Sequence, residues 1–544
     1  MRMSFNEKVV YQIYPKSYRD SNGDGIGDLK GIKEKLPYLH ELGVDMIWLN
    51  PIYPSPQKDN GYDISDYVAI DPLFGTMEEF EELVTQAKSY NIEIMLDMVL
   101  NHVSIEHEWF QKALAGDRFY QDFFILRDEP TDWVSKFGGN AWAPFGDTGK
   151  YYLHLYDQTQ ADLNWRNEAV QAELFKVVRF WMSKGVKGFR FDVINVIGKD
   201  EELKNNAENQ GKAEYTDKPI THTYLQRLNR ETFGQDPEII TVGEMSSTTI
   251  ENCILYTEPS RNELSMVFNF HHLKVDYENG NKWSTPPFDF EALKSLFHTW
   301  GEAMSKGNGW NALFLNNHDQ PRVVSRFGND SPQYRERSAK MLATCLHMMQ
   351  GTPYIYQGEE LGMTNYPFAS MDEFRDIESI NAYKEWCESG RVSHEEFWPC
   401  LKLISRDNAR TPVQWDDTEN AGFTTGTPWI TVNPNYKEIN AAVELKNPSS
   451  VFHYYQKLIA LRKQYPIIVY GKYELLLPED ENLFVYSREL DNEKLLAVCN
   501  FSEQKQNFTV PEGFRGAKCL ISNVERSYDE KDIVLEPYEA FVLK

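Results

Sequence analysis

The stretch LFKVVRFWMSKGVKGFRFDVIN, residues 174–195, contains one complete helix-to-strand unit of the chain. Its first part has the apolar spacing of a helix with one buried face, formed by Leu174, Val177, Val178 and Trp181. Gly185 and Gly188 are expected to end this helix. The run GFRFDVIN (188–195) then predicts a strand buried on both faces, which is typical of parallel sheets.

Seven further apolar runs of this kind occur along the chain, with helix-like stretches between them. The eight runs in order are VVYQIYP (9–15), MIWLNPI (46–52), EIMLDMVLNH (93–102), GFRFDVIN (188–195), IITVGEM (239–245), SMVFNF (265–270), ALFLNNHD (312–319) and TPYIYQGEE (352–360). Strands that alternate with helices predict an α/β fold, a (β/α)8 TIM barrel. A doubly wound open sheet is the alternative, but no GxGxxG or Walker-type glycine loop follows the first run.

Two long interruptions and a change of pattern divide the chain into predicted domains. Residues 103–173 separate the third and fourth runs and predict an inserted subdomain, because they are rich in aromatic residues, Asp and Gly. Residues from about 361 to 440 follow the eighth run and predict a lid. Residues 470–544 have the alternating pattern of an antiparallel β-domain. The barrel itself is then expected to comprise residues 1–102 and 174–465.

The composition limits the classes of partner. The chain has 544 residues and a formal net charge of −26, so nucleic acid and anionic membrane surfaces would repel it. No apolar run has the length of a signal peptide or a membrane span, and the six cysteines form no zinc-binding spacing. We therefore expect a cytoplasmic protein with reduced cysteines and a small-molecule substrate. Oligomeric state cannot be read from these features.

Polar residues stand at the ends of the predicted strands or in the loops after them, which is the active-site face of a TIM barrel. They are Asp63, Asp97, Asn101, His102, Arg190, Asp192, Glu244, His318 and Asp319. Carboxylates that converge in this way raise one another's pKa and cost stability, so a protein retains them for chemistry or for a metal.

Glycoside hydrolysis with retention requires such a set, since it uses one ionised carboxylate as nucleophile and one protonated carboxyl group as acid. Arg190 and Asp192 are two residues apart on one strand and therefore point the same way. The guanidinium would keep Asp192 ionised. Glu244, which follows apolar residues, is suited to a raised pKa and to the role of acid.

Four segments, DMVLNH, GFRFDVIN, TVGEM and NNHDQ, resemble the signature segments of the α-amylase family of glycoside hydrolases, in the family order. The resemblance covers essentially the whole chain and implies that Asp192 is the nucleophile, Glu244 the acid/base and Asp319 the transition-state stabiliser. It also implies a glucose-binding subsite −1 formed by Asp63, His102, Arg190 and His318. An arginine in SRDNARTPVQW would close this subsite, with Arg406 preferred to Arg410. No catalytic cofactor is expected.

The loop DSNGDGIGDL (20–29) spaces oxygen-bearing side chains at every second residue, as calcium-binding loops do. The candidate ligands are Asp20, Asn22, Asp24 and Asp28, and the resemblance adds the carbonyl of Ile26. The loop is not an EF-hand, because Gly31 occupies the twelfth position. The alternative is a polar turn in which the Asp side chains accept hydrogen bonds from backbone amides.

Other segments bear on the substrate. Val193 follows Asp192 directly, as in the branch of the family that cleaves α-1,6 and other non-1,4 linkages. TVGEMSSTT adds the hydroxyls Ser246, Ser247 and Thr248, and NFHHLKVDYENGNKW (269–283) adds the cations His271, His272, Lys274 and Lys282. Such donors suit a phosphate group. Together with GTPYIYQGEELGMTN, these segments resemble the trehalose-6-phosphate hydrolases.

This resemblance implies that the cations bind the 6-phosphate of the leaving sugar, with Lys274 and Lys282 as the preferred pair. The alternative for the cluster is ion pairing with Asp276 or Glu278 at the rim. Three other functions stay open: an oligo-1,6-glucosidase acting on isomaltose-like sugars, a transglycosylating relative such as a sucrose isomerase, and an amylase-like subunit without catalysis. The last usually lacks one of the three acids, and all three are present here.

Overall fold

A closed ring of eight parallel strands forms the centre of the protein in a computed structural model that describes residues 4–544. The strands are β1 (Val10–Ile13), β2 (Met46–Leu49), β3 (Glu93–Met98), β4 (Gly188–Phe191), β5 (Ile240–Glu244), β6 (Met266–Phe268), β7 (Ala312–Leu313) and β8 (Thr352–Tyr356). Strand β1 pairs with both β2 and β8, and the order continues from β2 through β6. Between β6 and the start of β7 the ring is closed by a parallel bridge from Val267 to Asn311. The predicted TIM barrel is confirmed.

A helix follows each strand of the ring. These helices are α1 (Leu36–Leu42), α2 (Met77–Ser89), α3 (Glu168–Ser183), α4 (Pro219–Glu231), α5 (Ile250–Thr257), α6 (Phe290–Lys306), α7 (Arg335–His347) and α8 (Val451–Gln464). The predicted apolar face of α3 is buried. Gly185 follows α3 with a φ of +89°, whereas Gly188 begins β4 and leaves room for Met95. Within residues 4–544, no helix has the length and apolarity needed to cross a bilayer.

The shorter helices lie mainly outside the ring. They are Leu29–Glu34, Glu108–Leu114, Arg118–Gln121, Val323–Phe327, Ile377–Tyr383, His394–Ile404, Asp407–Arg410, Ala441–Lys446 and Pro466–Tyr470. Three of them, Ile377–Tyr383, His394–Ile404 and Asp407–Arg410, belong to the region predicted as a lid. This region also carries a small aromatic core of its own, which includes Phe368, Phe374 and Phe397.

The segment between β3 and α3 forms two small antiparallel sheets. One pairs His102–Ser104 with Gln160–Asp162, and the other contains Leu126–Arg127, Tyr151–Leu153 and Trp142–Pro144. The first sheet begins four residues after β3 ends. The inserted segment is therefore fixed next to the carboxyl ends of the barrel strands, where it can contribute side chains to a site.

The C-terminal region is an antiparallel β-domain, as predicted. Its strands are Lys472–Leu476, Leu483–Leu490, Glu493–Asn500, Gln506–Thr509, Cys519–Ser522, Asp532–Leu535 and Ala540–Leu543. Five of them form one sheet and two form a second. Buried Arg488 on this domain donates hydrogen bonds to the carbonyls of Met348, Ile468 and Gly471, which joins the sheet to the barrel. The exact domain boundaries given above stay a prediction.

The loop predicted to bind calcium is held by hydrogen bonds of its own. The carboxylate of Asp20 accepts hydrogen bonds from the backbone N–H groups of Asn22, Gly23 and Gly25. That of Asp28 accepts from Ser21 and also caps the helix Leu29–Glu34. No group of three or more His, Cys, Asp or Glu side chains within residues 4–544 is arranged to hold a metal ion. These oxygens are largely occupied by N–H donors, so calcium at this loop stays a prediction.

Asp20→Ala tests what fixes this loop. We expect the free energy of unfolding in EGTA to fall by about 1–3 kcal/mol, because buried N–H groups lose their acceptor. Asp24→Ala is the matched control, since the exposed Asp24 carboxylate accepts only from the N–H of Ile26. Denaturant unfolding measures both. If Asp20→Ala destabilised the protein only when calcium was present, the carboxylate would act through the metal instead.

Candidate active site

One guanidinium connects three carboxyl groups from three neighbouring strands. Arg190 on β4 is almost fully buried, and its Nη1 donates to Asp97 Oδ1 at 2.7 Å and to Asp192 Oδ1 at 2.6 Å. Its Nη2 donates to the carboxyl group of Glu244 at the end of β5. The side chains meet because the carboxyl ends of adjacent parallel strands lie side by side, and because Arg190 and Asp192 share one side of β4.

The carboxyl groups of this cluster resist ionisation. Burial raises the pKa of Glu244 to about 8, although the Arg190 guanidinium lowers it. Burial also raises the pKa of Asp192 and that of Asp97, each to about 6, again against Arg190. A hydrogen bond between the two carboxyl groups raises the pKa of Glu244 and lowers that of Asp192. At neutral pH, the arrangement provides a protonated acid beside an ionised carboxylate.

The residue after Asp192 has a strained backbone. Val193 adopts φ 37° and ψ 39°, the left-handed region that β-branched residues rarely occupy. Its N–H thereby points at Glu244 Oε2, at 3.2 Å. Strain of this kind is kept where the surrounding structure fixes a functional geometry. Here it places a further donor between the ends of β4 and β5.

Aromatic side chains form the floor of the cluster. The Tyr62 hydroxyl donates to Asp97 Oδ2 at 2.8 Å and lies 2.8 Å from His318 Nε2. Because Gln12 donates to His318 Nδ1, the proton of that ring is on Nε2. Burial lowers the pKa of His318 to about 3, so the ring is neutral. Nothing in the sequence distinguished Tyr62 or Gln12 from other residues of the barrel core.

Asp319 is held by both candidate arginines. Its Oδ1 accepts from Arg410 Nη2 at 2.7 Å and from Arg406 Nη1 at 3.2 Å. Although burial opposes ionisation, the positive groups around it keep the pKa of Asp319 well below its usual range. Both Arg406 and Arg410 therefore point toward Asp319, whereas the sequence analysis expected only one arginine there. Asp376, in the region predicted as a lid, was not identified by the sequence analysis and binds Arg406 through Nε at 2.9 Å and Nη2 at 2.6 Å.

The loop after β2 carries two acids with different surroundings. Asp63 is fully buried, and its carboxylate accepts from the Ser55 hydroxyl and from the N–H groups of Lys58 and Asp59. Asp59 instead lies 3.5 Å from Arg406 Nη2, and burial raises its pKa to about 7. The structure thus places Asp63 inside the loop and Asp59 beside the arginine that contacts Asp319.

His102 lies between two side-chain amides. Asn101 Nδ2 is 3.2 Å from His102 Nδ1, and Gln160 Nε2 is 3.3 Å from His102 Nε2. The two hydrogens of the Gln160 amide have other acceptors, Asp59 Oδ2 and the carbonyl of Tyr62. Therefore His102 Nδ1 accepts from Asn101, and Nε2 carries the proton. Burial lowers the pKa of His102 to about 4.

A buried lysine fixes the Asn101 amide. Lys199 Nζ donates to Asn101 Oδ1 at 2.8 Å and forms an ion pair with Asp162 Oδ2, also at 2.8 Å. Asn101 Nδ2 donates to the same Asp162 oxygen at 3.1 Å. With its oxygen held by the ammonium, the amide can only turn its NH2 group toward His102. Lys199 is thus a positioning residue that the sequence analysis missed.

The four predicted phosphate-binding cations have separate environments. His272 is buried between the rings of Phe297 and Phe314, and its Nε2 is 2.8 Å from the Phe314 carbonyl. His271 is half-buried, with its ring centre 4.9 Å from that of Trp300. The structure therefore places both imidazoles in packed surroundings.

The two lysines of this set face more polar surroundings. Lys282 Nζ forms an ion pair with Glu378 Oε2 at 2.6 Å, and that oxygen also lies 3.4 Å from Arg406 Nε. Lys274 is exposed and has no carboxylate within ion-pair distance among residues 4–544. Of the four, only Lys274 combines exposure with a free ammonium group in the described chain.

Lys199→Met tests the positioning of Asn101. We expect the proton of His102 to redistribute between its two nitrogens, because the amide of Asn101 is then free to rotate. The 15N chemical shifts of His102 in histidine-labelled protein report this directly. The free energy of unfolding should also fall by about 3–5 kcal/mol, since the substitution leaves the buried Asp162 unpaired.

The matched control is Lys176→Met. Lys176 lies on α3 with its side chain 63% exposed and, among residues 4–544, pairs only with Glu173, so this variant should change neither quantity. A His102 spectrum that stays the same in Lys199→Met would contradict the positioning role.

Comparisons with known proteins agree with this geometry. The model of the α-amylase catalytic domain matches residues 12–471, and that of the C-terminal domain of maltogenic amylase matches residues 473–542. A trehalose-6-phosphate hydrolase of Bacillus subtilis (strain 168) is 52% identical, over 99% of this chain and 98% of the relative. An oligo-1,6-glucosidase of Parageobacillus thermoglucosidasius is 50% identical, over 100% and 99% of the two chains.

The crystal structure of a trehalose-6-phosphate hydrolase of Bacillus licheniformis superposes with a TM-score of 0.95 at 52% identity, covering 99% of each chain. The similarity thus extends over the barrel, the inserted segment and the β-domain alike. The chain belongs to the α-amylase family of glycoside hydrolases.

Proposed function

We propose that this glycoside hydrolase is a retaining, exo-acting α-glucosidase that converts trehalose 6-phosphate and water to glucose and glucose 6-phosphate. The observation that carries the proposal is Lys274, an exposed lysine without a carboxylate partner in residues 4–544. Burial and the charges of Lys212 and Lys274 lower the pKa of Lys136, which hydrogen-bonds Ser246 just beyond Glu244. An anionic substituent on the leaving sugar would therefore meet unpaired positive charge beside the acid.

The three acids then have distinct roles. Asp192 is the nucleophile, because Arg190 favours its ionised form. Glu244 is the acid/base, because burial keeps it protonated. Asp319, whose arginine partners keep it ionised, stabilises the positive charge that develops on the sugar in the transition state.

The spacing of the two reacting carboxyl groups supports retention of configuration. Inverting glycosidases place a water molecule between their carboxyl groups, which are about 6.5–9.5 Å apart. Asp192 and Glu244 instead share the guanidinium of Arg190 and a hydrogen bond with each other. This proximity suits a covalent glycosyl–enzyme intermediate.

The reaction then proceeds in two steps. Asp192 attacks the anomeric carbon while Glu244 transfers its proton to the glycosidic oxygen, which releases glucose 6-phosphate and leaves a glucosyl ester. Glu244, now ionised, takes a proton from water as the water oxygen attacks the same carbon. Glucose leaves, Asp192 is again a carboxylate, and Glu244 is again protonated.

Neutral groups and arginine-held acids form the proposed subsite −1. His102 presents an Nε2 proton to a sugar hydroxyl, and His318 forms the wall beside it. Of the two acids in the loop after β2, the contacts favour Asp59 for binding glucose, since Asp63 is occupied by donors of its own loop. Asp63 as a direct sugar contact stays a prediction.

An oligo-1,6-glucosidase is the second candidate, and one observation favours it. Lys282, one of the two preferred phosphate ligands, is already paired with Glu378. A cation neutralised in this way contributes less to binding an anion. Sequence identity does not favour either function, since a trehalose-6-phosphate hydrolase is 52% identical to this chain and an oligo-1,6-glucosidase is 50% identical.

Initial rates on four substrates test the proposal: trehalose 6-phosphate, trehalose, isomaltose and p-nitrophenyl α-glucoside. We expect kcat/KM for trehalose 6-phosphate to exceed that for trehalose by tenfold or more. In Lys274→Ala/Lys282→Ala this ratio should fall about tenfold or further, since hydrogen bonds to a charged group contribute about 1.5–3 kcal/mol each.

Lys176→Ala is the control for the loss of a lysine and should leave the ratio unchanged. Isomaltose cleavage at a rate equal to or above that of trehalose 6-phosphate would overturn the proposal in favour of the oligo-1,6-glucosidase.

The pH dependence of kcat/KM tests the assignment of acid and nucleophile. Activity should fall as the pH drops below about 6, because Asp192 takes up a proton, and as it rises above about 8, because Glu244 loses one. These values belong to the pair rather than to either residue alone.

Glu244→Gln should remove the alkaline limb on p-nitrophenyl α-glucoside, whose leaving group needs little protonation, and should abolish trehalose 6-phosphate hydrolysis. Persistence of the alkaline limb in this variant would assign it to another group.

A further inference from the structure

Lys136 extends from the inserted segment to the end of β5. Its Nζ is 2.7 Å from the hydroxyl of Ser246, which follows the proposed acid Glu244 by two residues. No Asp or Glu among residues 4–544 forms an ion pair with Lys136. A half-buried ammonium whose partner is a hydroxyl keeps donors available for an anion, because an ammonium has three.

The hydroxyl that holds Lys136 is itself fixed. Asn195 accepts from the backbone N–H of Ser246 at 2.8 Å and donates to its carbonyl at 3.0 Å. Asn195 also donates to Asp217 Oδ1 at 2.9 Å, which secures the amide. Asn195 lies three residues after Asp192 and Ser246 two residues after Glu244, so the segment that carries the nucleophile also fixes the serine that binds Lys136.

Phe137, the residue after Lys136, shows that Lys136 lies near the proposed subsite −1. The Phe137 ring lies 5.5 Å from the guanidinium of Arg406, which contacts Asp319. It also packs edge-on against Tyr156, with 5.6 Å between ring centres. Phe137 thus borders the proposed subsite −1, and Lys136 lies beyond it on the side of the acid, where the leaving sugar departs.

Two exposed lysines add positive charge at this position. Burial, together with the charges of Lys212 and Lys274, lowers the pKa of Lys136 to about 8. Neither Lys212 nor Lys274 forms an ion pair within residues 4–544. The charges of all three lysines would favour a multiply charged anion beside Lys136, since an anion offsets the repulsion between like charges.

We propose that Lys136 binds the phosphate of the leaving sugar directly, with Lys212 and Lys274 completing the charge around it. The inference rests on the proposed function. It adds Lys136 from the inserted segment and Lys212 from the region before α4. Both lie outside the sequence segments that suggested phosphate binding. Lysine suits this position as a compact charge on a flexible stem. The substrate would thereby connect the inserted segment to the barrel.

Lys136→Met and Lys136→Arg test the inference in the full-length enzyme. Lys136→Met should lower the ratio of kcat/KM for trehalose 6-phosphate to that for trehalose by tenfold or more, chiefly through KM. Inhibition by glucose 6-phosphate should weaken relative to inhibition by glucose. Lys136→Arg, which keeps the charge, should recover part of the ratio. Lys176→Met is the matched control, and thermal unfolding verifies that each variant is folded.

Two failures are distinguishable. A wild-type enzyme without preference for trehalose 6-phosphate over trehalose would overturn the proposed function itself. A wild-type preference that survives in Lys136→Met would overturn only this inference. The same holds if that variant lost activity equally on both substrates, because Lys136 would then hold the inserted segment in place rather than bind phosphate.

Discussion

The guanidinium of Arg190 is the interaction on which the rest of the site depends. Three carboxyl groups approach one another at the ends of β3, β4 and β5, and without a cation their mutual repulsion would keep them apart or protonated. Arg190 cannot lose its own proton at any ordinary pH. It therefore supplies a permanent charge that leaves Asp192 ionised while Glu244, more strongly affected by burial, stays protonated.

The barrel makes this arrangement possible by geometry alone. Adjacent parallel strands present their carboxyl ends at one level, so side chains from separate parts of the sequence come within hydrogen-bonding distance. The inserted segment then covers one side of this face, and Asp376, from the segment after β8, binds Arg406. The site is thus assembled from rigid strands below and from two added segments above.

Much of the fold could be predicted from the sequence, because strands buried on both faces leave long apolar runs that alternate with helices of clear spacing. All eight runs contain a barrel strand. The central acids were predictable for the same reason, since Asp192 and Glu244 lie at the ends of such runs. Residues outside regular elements were harder to place. Asp59 and Asp63 are four positions apart in one loop, and only the folded backbone shows which of them faces Arg406.

The candidate phosphate-binding cations were harder to predict from the sequence than the acids. Composition identified His272 as a positive group, yet its ring is packed between two phenylalanines, and burial keeps it neutral. Lys136 lies more than a hundred residues from the segments that suggested phosphate binding, so no local pattern could connect it with them. Arg406 was preferred to Arg410 from the sequence, but the short helix Asp407–Arg410, with Arg406 at its start, turns both side chains toward Asp319.

The exposed lysines near the cleft also bear on how a substrate arrives. The protein carries a net charge of −26, so its long-range field repels a dianion, whereas Lys212 and Lys274 attract one at short range. Added salt screens both the long-range repulsion and the local attraction, with a screening length of about 8 Å at physiological ionic strength. Beyond that distance the repulsion is largely removed, while the attraction near the cleft persists. Encounter between this enzyme and an anionic sugar should therefore be faster in moderate salt than in very dilute buffer, the reverse of the usual behaviour of oppositely charged partners.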